Sequence, residues 1–264
     1  MHWSNYFFYL QKIGTRYFIV AGIAFIIFYL VIKERTIYKK IQQKFPRSKD
    51  YAREIGYSML TISIFAFVPL IILHIPVIRT RTLFYTDIQQ YGWLYFFLAF
   101  PLMFIIHDSY FYWTHRLMHH PKIFKWFHLV HHKSTNPSPW AAYSFHPLEA
   151  IVEAGIFAVF LFALPISPLH LAIFFFAMIV YNVYGHLGYE LYPKGFSRHW
   201  LGKWINTSVN HNQHHQQFKG NYGLYFLWWD RWMHTIRKDY DEKFEAVKNP
   251  SVSQEVLRYH GPKK

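Results

Sequence analysis

The chain has no cysteine among its 264 residues. That absence removes disulfides, zinc ribbons, iron–sulfur clusters and thiolate nucleophiles together. Internal repeats and low-complexity segments are also missing. Acidic residues are scarce, 14 against 28 Lys plus Arg. A basic excess of this kind has three common readings: nucleic acid, an anionic lipid surface, or the cytoplasmic loops of a membrane protein. The first 16 residues, MHWSNYFFYLQKIGTR, lack the basic start and small-residue cleavage site of a secretory signal. The first apolar block is therefore expected to stay as an anchor.

What the chain does have is apolar and aromatic surface: 53% hydrophobic and 22% aromatic residues. This favours a membrane protein and argues against a nucleic-acid partner. The first spanning candidate, Tyr17 to Ile32, is short for the roughly 17–25 residues a crossing needs and must borrow flanking residues. Lys33 to Arg53 then carries eight Lys or Arg, which places this loop in the cytoplasm. A second candidate runs from Ile55 to Ile78 and contains Pro69, His74 and Pro76, so a kink is expected near its far end. A third begins at Trp93. Continued to His120 it is about 42 Å long, against a hydrocarbon core of about 30 Å, so its last turns must project into the cytoplasm. Pro121 ends it and lets Lys122 to His132 start another helix. Leu148–Leu164 and Pro168–Tyr184, joined by Pro165-Ile166-Ser167, read as an antiparallel hairpin. From Pro193 on, apolar residues are interrupted by 12 Lys or Arg, as in a cytoplasmic region lying on the membrane.

The most distinctive composition is histidine. Residues 107–132 hold seven of the chain's 18 His. His115 and His119 are four apart, while His128, His131 and His132 fall at i, i+3 and i+4. On a helix these intervals bring side chains to one face about a turn apart. His211, His214 and His215 repeat the second pattern far away in sequence, suggesting two half-sites that face each other. Neutral imidazole suits iron, zinc, copper and nickel, and sequence chemistry alone does not choose among them. Structural zinc closes with four ligands and catalytic zinc uses about three. Eight spaced His, or nine with His186, fit two metal ions better than one. Ligating imidazoles donate their other N–H outward, which makes Asp108, Glu149, Glu153, Glu190 and Asp230 candidate acceptors. His107 is read as a ligand, as a support to one, or as a buried His bonded to backbone. His146 is a further candidate support.

HDSYFYWTHRLMHH, FHLVHH, FHPLE, HLGYELYP, NHNQHH and NYGLYFLWWDRWMHT resemble the fatty acid hydroxylase and sterol desaturase superfamily of integral-membrane di-iron enzymes, from about Tyr95 to Arg237. The resemblance implies an all-α fold with about four spanning or hairpin helices and a cytoplasmic histidine-rich cap. Three regions follow: 1–92 as membrane anchor and basic loop, 93–240 as catalytic domain, 241–264 as a polar tail. The implied metal ligands are His115 and His119, then His128, His131 and His132, then His211, His214 and His215, with His186 from the intervening helix. Relatives often carry another His four residues before that one. Here Asn182 stands there, as a water-mediated ligand at most.

The implied cofactors are two Fe(II) ions with dioxygen as co-substrate, and no catalytic residue is expected beyond the metal centre. The implied chemistry is hydroxylation or desaturation of a lipid, sterol, isoprenoid or fatty acyl, in lipid biosynthesis. Because no haem or flavin motif is evident, an external electron donor is expected: a cytochrome, ferredoxin or reductase. The location would be a bacterial inner membrane, or the endoplasmic reticulum of a eukaryote, with the site facing the cytoplasm. The competing classes are a histidine-rich metal transporter and a zinc-binding protein without oxidase activity.

Overall fold

The computed structural model describes residues 2–249, and these contain helices and isolated bridges but no strand. In chain order the helices are α1 (Trp3–Phe25), α2 (Lys33–Thr36), α3 (Ser48–His74), α4 (Pro76–Arg79), α5 (Gly92–Met118), α6 (Phe124–Phe127), α7 (Leu129–His132), α8 (Pro147–Ala163), α9 (Pro168–Gly185), α10 (Ser208–Gln217), α11 (Trp228–Trp232) and α12 (Tyr240–Lys248). Four are long and apolar enough to cross a membrane: α1 with its extension to Val31, α3, α5 and α9. On α5, Leu94, Phe97, Leu98, Leu102 and Ile105 are all exposed at helical spacing. A continuous apolar stripe of this kind needs lipid as its solvent.

The first span differs from its expected bounds. The helix starts at Trp3, because its early polar and aromatic residues find partners on α3: Tyr6 packs on Phe67 at 4.5 Å, and the Tyr9 hydroxyl lies 2.9 Å from His74 Nε2. At its other end the helix widens into a π-helical turn, Ile26–Val31. There the Tyr29 hydroxyl donates to the Leu187 carbonyl (2.9 Å), and the Tyr189 hydroxyl donates to the Phe28 carbonyl (3.0 Å). The irregular turn therefore ties the anchor to the segment that follows α9. The kink expected at Pro69 to Pro76 is a break: α3 stops at His74 and Pro76 opens α4.

α8 and α9 form the expected hairpin. Ser167 caps α9 by accepting from the His170 N–H, and the 83–85 loop is pinned to the turn by Leu83 N–H to Leu161 O (2.8 Å) and Tyr85 N–H to Ile166 O (3.1 Å). The core is built where α1, α3, α5, α8 and α9 meet, around Tyr17, Met103, Tyr143, Phe160 and Phe174. Opposite the 83–85 loop, the basic segment lies on the cap. Ile41 N–H donates to Gly188 O (2.9 Å), and Gln42 donates to Asn212 (2.9 Å). Gly188 sits at φ +74, and a Cβ there would lie 3.0 Å from the Tyr29 hydroxyl oxygen, so glycine is favoured on both counts. Of the polar tail expected at 241–264, residues 250–264 lie outside the described residues. α12 packs Tyr240 and Phe244 against Val209 and Leu227 of the cap.

Candidate metal centre

Three helix ends and one helix converge on the cap side of the membrane bundle. α5 delivers His115 and, at its C-cap, His119. The helix expected over 122–132 is broken at His128, which separates α6 from α7, although His132 N–H still bonds to His128 O (3.2 Å). His186 caps α9. α10 is polar on all sides yet buried from Ser208 to His215. Only part of its polar surface is satisfied within the protein, since both side-chain polar atoms of Asn210 and the amide nitrogens of Asn212 and Gln213 are buried without a partner. Thr207 caps its start, Asn221 donates to Asn210 O and Gln213 Oε1, and Asn212 Oδ1 accepts from Gln42 and Gln216.

The nine histidines gather into two groups. One holds His115, His119, His128, His132 and His214; the other holds His131, His186, His211 and His215, and within each group the donor atoms lie within 4.8 Å of one another. The grouping crosses the sequence pattern. In the 128–132 triplet the i and i+4 members join the first group and the i+3 member joins the second. In the 211–215 triplet the i and i+4 members join the second group and the i+3 member joins the first. Expected as facing half-sites, the two triplets interleave, and each contributes to both groups.

The ring nitrogens that converge are all Nε2. His115 and His128 approach to 2.9 Å, His119 and His214 to 3.1 Å, and His132 and His214 to 3.0 Å. In the second group His186 lies 3.2 Å from His131, 3.0 Å from His211 and 3.2 Å from His215. Backbone carbonyls fix the tautomers from behind. His115 Nδ1 donates to Tyr222 O (2.9 Å), His214 Nδ1 to Gly220 O (2.7 Å) and His186 Nδ1 to Asn182 O (2.8 Å). A carbonyl only accepts, so each Nδ1 carries the proton and each Nε2 presents a lone pair. Lone pairs at this spacing repel unless a cation lies among them. Nitrogen donors about 2.1 Å from one ion, in adjacent octahedral positions, are about 3.0 Å apart, so the donor sets fit metal ions.

Electrostatics point the same way. Burial first, then neighbouring imidazoles, hold His128, His131, His132, His211, His214 and His215 well below the usual histidine range. Burial brings His186 down to about 4. Neutral imidazole is the form that ligates metal.

The supporting groups divide. Glu149 Oε1 meets His128 Nδ1 at 2.6 Å, with both residues buried. Asp230 touches no imidazole; it accepts from the N–H groups of Tyr222 (2.9 Å) and Gly223 (2.7 Å), and so holds the carbonyl that orients His115. Asp108 accepts from the N–H groups of Tyr225 and Phe226 instead of from an imidazole. Glu190 accepts from Tyr184, Tyr192 and Val209. His107 bonds the Tyr225 hydroxyl (3.0 Å), and His146 caps α8. Asn182 donates to Ala142 O, and its side chain lines the cavity described below. The anchoring carbonyls of Tyr222, Gly220 and Asn182 carry no side-chain signal that a sequence could show.

Aromatic rings close the groups off. Phe111 lies 4.9 Å from His115, Phe124 5.3 Å from His119, Phe218 4.8 Å from His132 and Phe145 5.1 Å from His131. On the membrane side a cavity of about 1040 Å³ runs along α9 from Pro168 to Asn182, about 21 Å at 1.5 Å per residue. Its walls are mainly Phe, Ile, Leu and Val from α1, α3, α8 and α9, and the lining includes Asn182 and the same Phe111 and Phe145 rings that pack against His115 and His131.

An all-helical membrane bundle that buries two clusters of imidazole near a lipophilic cavity has the donor sets of a membrane protein with a metal site. The fatty acid hydroxylase family model matches residues 100–235, a stretch that includes all nine histidines, and the chain belongs to that family. It is 35% identical over 175 residues to a Delta(7)-sterol 5(6)-desaturase of Gibberella zeae, covering 65% of this chain and 52% of the relative. It is 30% identical over 229 residues to another of Aspergillus fumigatus, covering 86% and 60%. With the lathosterol oxidase of Rattus norvegicus the identity is 28% over 202 residues, covering 74% and 64%. The chain thus spans about half to just under two thirds of the length of these relatives. No solved structure matches it.

Proposed function

We propose that the chain is a di-iron oxidase that desaturates or hydroxylates a sterol or similarly long apolar lipid, using dioxygen and electrons from a separate cytochrome, ferredoxin or reductase. The observation that carries this reading is the pair of inward-facing Nε2 sets closed off beside an apolar cavity. Of the metals that nitrogen donors suit, iron follows from the family. His115, His119, His128, His132 and His214 would hold one ion, and His131, His186, His211 and His215 the other, with Asn182 acting through water. Bound there, the iron pair would supply dioxygen activation and C–H oxidation.

The chain's own residues do the rest. Carbonyls of Tyr222, Gly220 and Asn182 and the Glu149 carboxylate keep the Nδ1 protons in place and the rings aimed. Phe111, Phe124, Phe145 and Phe218 exclude water around them. The cavity holds the lipid so that one C–H, not the whole chain, reaches the histidines. The names of the relatives favour desaturation of a sterol ring. Orientation rests on the basic segment 33–53, which packs against the cap; its excess of Lys and Arg supports a cytoplasmic position for both. An ion transporter would line its span with ionisable groups, whereas this cavity is mainly apolar.

The test is metal analysis of anaerobically purified protein, followed by turnover of a Delta(7)-sterol with reductant and dioxygen. Two irons per chain and oxygen-dependent loss of two hydrogens support the reading. A single tightly held zinc and no turnover overturn it.

A further inference from the structure

One cationic side chain in the cavity wall has no carboxylate partner among the described residues. Arg16 lies halfway along α1, and its guanidinium reaches into the cavity wall. Its Nε is buried with no hydrogen-bond partner, and no ion pair joins it to a carboxylate among the described residues. It stands 5.6 Å over the Phe175 ring and beside the Tyr143 hydroxyl. The buried Nε is closed to the cavity, so only the Nη groups can meet a ligand there, and a guanidinium lining a mainly apolar cavity with no carboxylate is costly unless something else supplies them an acceptor. The other ionisable groups of the wall do not: Lys12 lies over the Phe8 ring (5.5 Å), and Glu153 makes no ion pair among the described residues.

We infer that Arg16 anchors the polar end of the lipid: a single hydroxyl or carboxylate oxygen on a long hydrocarbon, held by the guanidinium inside the cavity. This rests on the reading of the cavity as the substrate site, and it names what that site recognises. The position matters for specificity. Tyr143 is one ring contact from Phe145 (6.3 Å), which is one ring contact from His131 (5.1 Å). An oxygen held at Arg16 therefore sets which carbons can reach the histidines, and the remaining hydrocarbon fills the part of the cavity towards Leu73 and Leu171.

The experiment uses the full chain in lipid nanodiscs after metal removal with a chelator, so that its result does not depend on the iron chemistry. Binding of cholestanol is compared with cholestane, and octadecanoate with octadecane, each corrected for empty nanodiscs. The unsubstituted protein is expected to bind at least one oxygenated probe roughly tenfold tighter than its hydrocarbon counterpart, the worth of one charge-assisted hydrogen bond. A preference confined to cholestanol identifies a sterol as the ligand, and one confined to octadecanoate identifies a fatty acid. Arg16→Leu should reduce the difference to below about twofold while hydrocarbon binding persists, and Arg16→Lys should keep part of it. If Arg16→Leu fails to bind hydrocarbon, Arg16→Gln supplies the same reading. Retention of the full preference without the guanidinium, or no oxygen preference in the unsubstituted protein, overturns the inference. Iron stoichiometry is measured separately, so failure here leaves the metal reading standing.

Discussion

Replacing Glu149 should weaken one metal group and spare the other. The carboxylate meets His128 Nδ1 at 2.6 Å inside the protein, and His128 belongs to the first group only. Glu149→Leu leaves a buried N–H without an acceptor, at a cost of about 1–3 kcal/mol. Independently, losing the outer partner of a ligating His lowers metal affinity by about 10–100-fold, equivalent to about 1.4–2.7 kcal/mol. The two routes agree. The second group is insulated, because His186 is oriented by Asn182 O and His131 faces Ser144 O at 3.4 Å. Anaerobic Fe(II) titration of the metal-free protein should therefore show two binding events in the unsubstituted chain. In Glu149→Leu one should move by about tenfold to a hundredfold while the other stays within about threefold. Glu149→Gln keeps an acceptor oxygen and should lose less than about tenfold. Equal weakening of both events, or of neither, would refute the assignment of Glu149 to a single group.

Adjacent histidines should behave as residues of different sites: His131→Ala is expected to remove one iron-binding event and His132→Ala the other, and loss of the same event in both would break the interleaved grouping. The metal-free protein should lose stability on acidification. Its buried histidines stay neutral when folded and protonate when unfolded, so the unfolded chain binds more protons below the ordinary value of 6.5, down to about 4 for His186. Stability therefore rises with pH across that window, each such His adding about 1.4 kcal/mol per pH unit. Thermal melting followed from pH 7.5 to 5 checks this, and a flat profile contradicts it. Gly188→Ala forces a Cβ into a left-handed conformation against Tyr29 and should destabilise by more than about 1 kcal/mol, read as a lower melting temperature. An unchanged melt would show that the junction between basic segment and cap tolerates a side chain.

Much of this was legible in the residues because its physics is local. Apolar length gave the spans at α3, α5 and α9, and the Pro165-Ile166-Ser167 link gave the α8–α9 hairpin. The spacing of His115/His119 and of the two triplets marked eight of the nine histidines that the structure gathers, and His186 came only from the family resemblance. The beginning of α1 was less legible, since Trp3 to Arg16 looks too polar to start a span. Only the docking of Tyr6 and Tyr9 on α3 makes it helix, and those contacts are far apart in sequence. Asp108 and Asp230 were read as partners of imidazole because carboxylates near ligands usually are. Both instead bind the 222–226 backbone, whose own N–H groups had no other acceptor. Carbonyl anchors are invisible in a sequence because every residue has one.

The interleaving also explains how two adjoining sites keep a fixed separation without a bridging side chain. His131 and His132 are consecutive but serve different groups, and so are His214 and His215. The ring centroids within each pair are 5.9 Å apart in both cases. One peptide unit therefore links the groups on the 128–132 segment and another links them on α10, with packed side-chain torsions completing the offset. The peptide is the stiffest link the chain has. A layout with one triplet per site would leave the spacing to the packing of separate helices, which side-chain repacking can shift. By crossing the triplets, the fold ties its two groups together through two separate backbone links, His131–His132 and His214–His215.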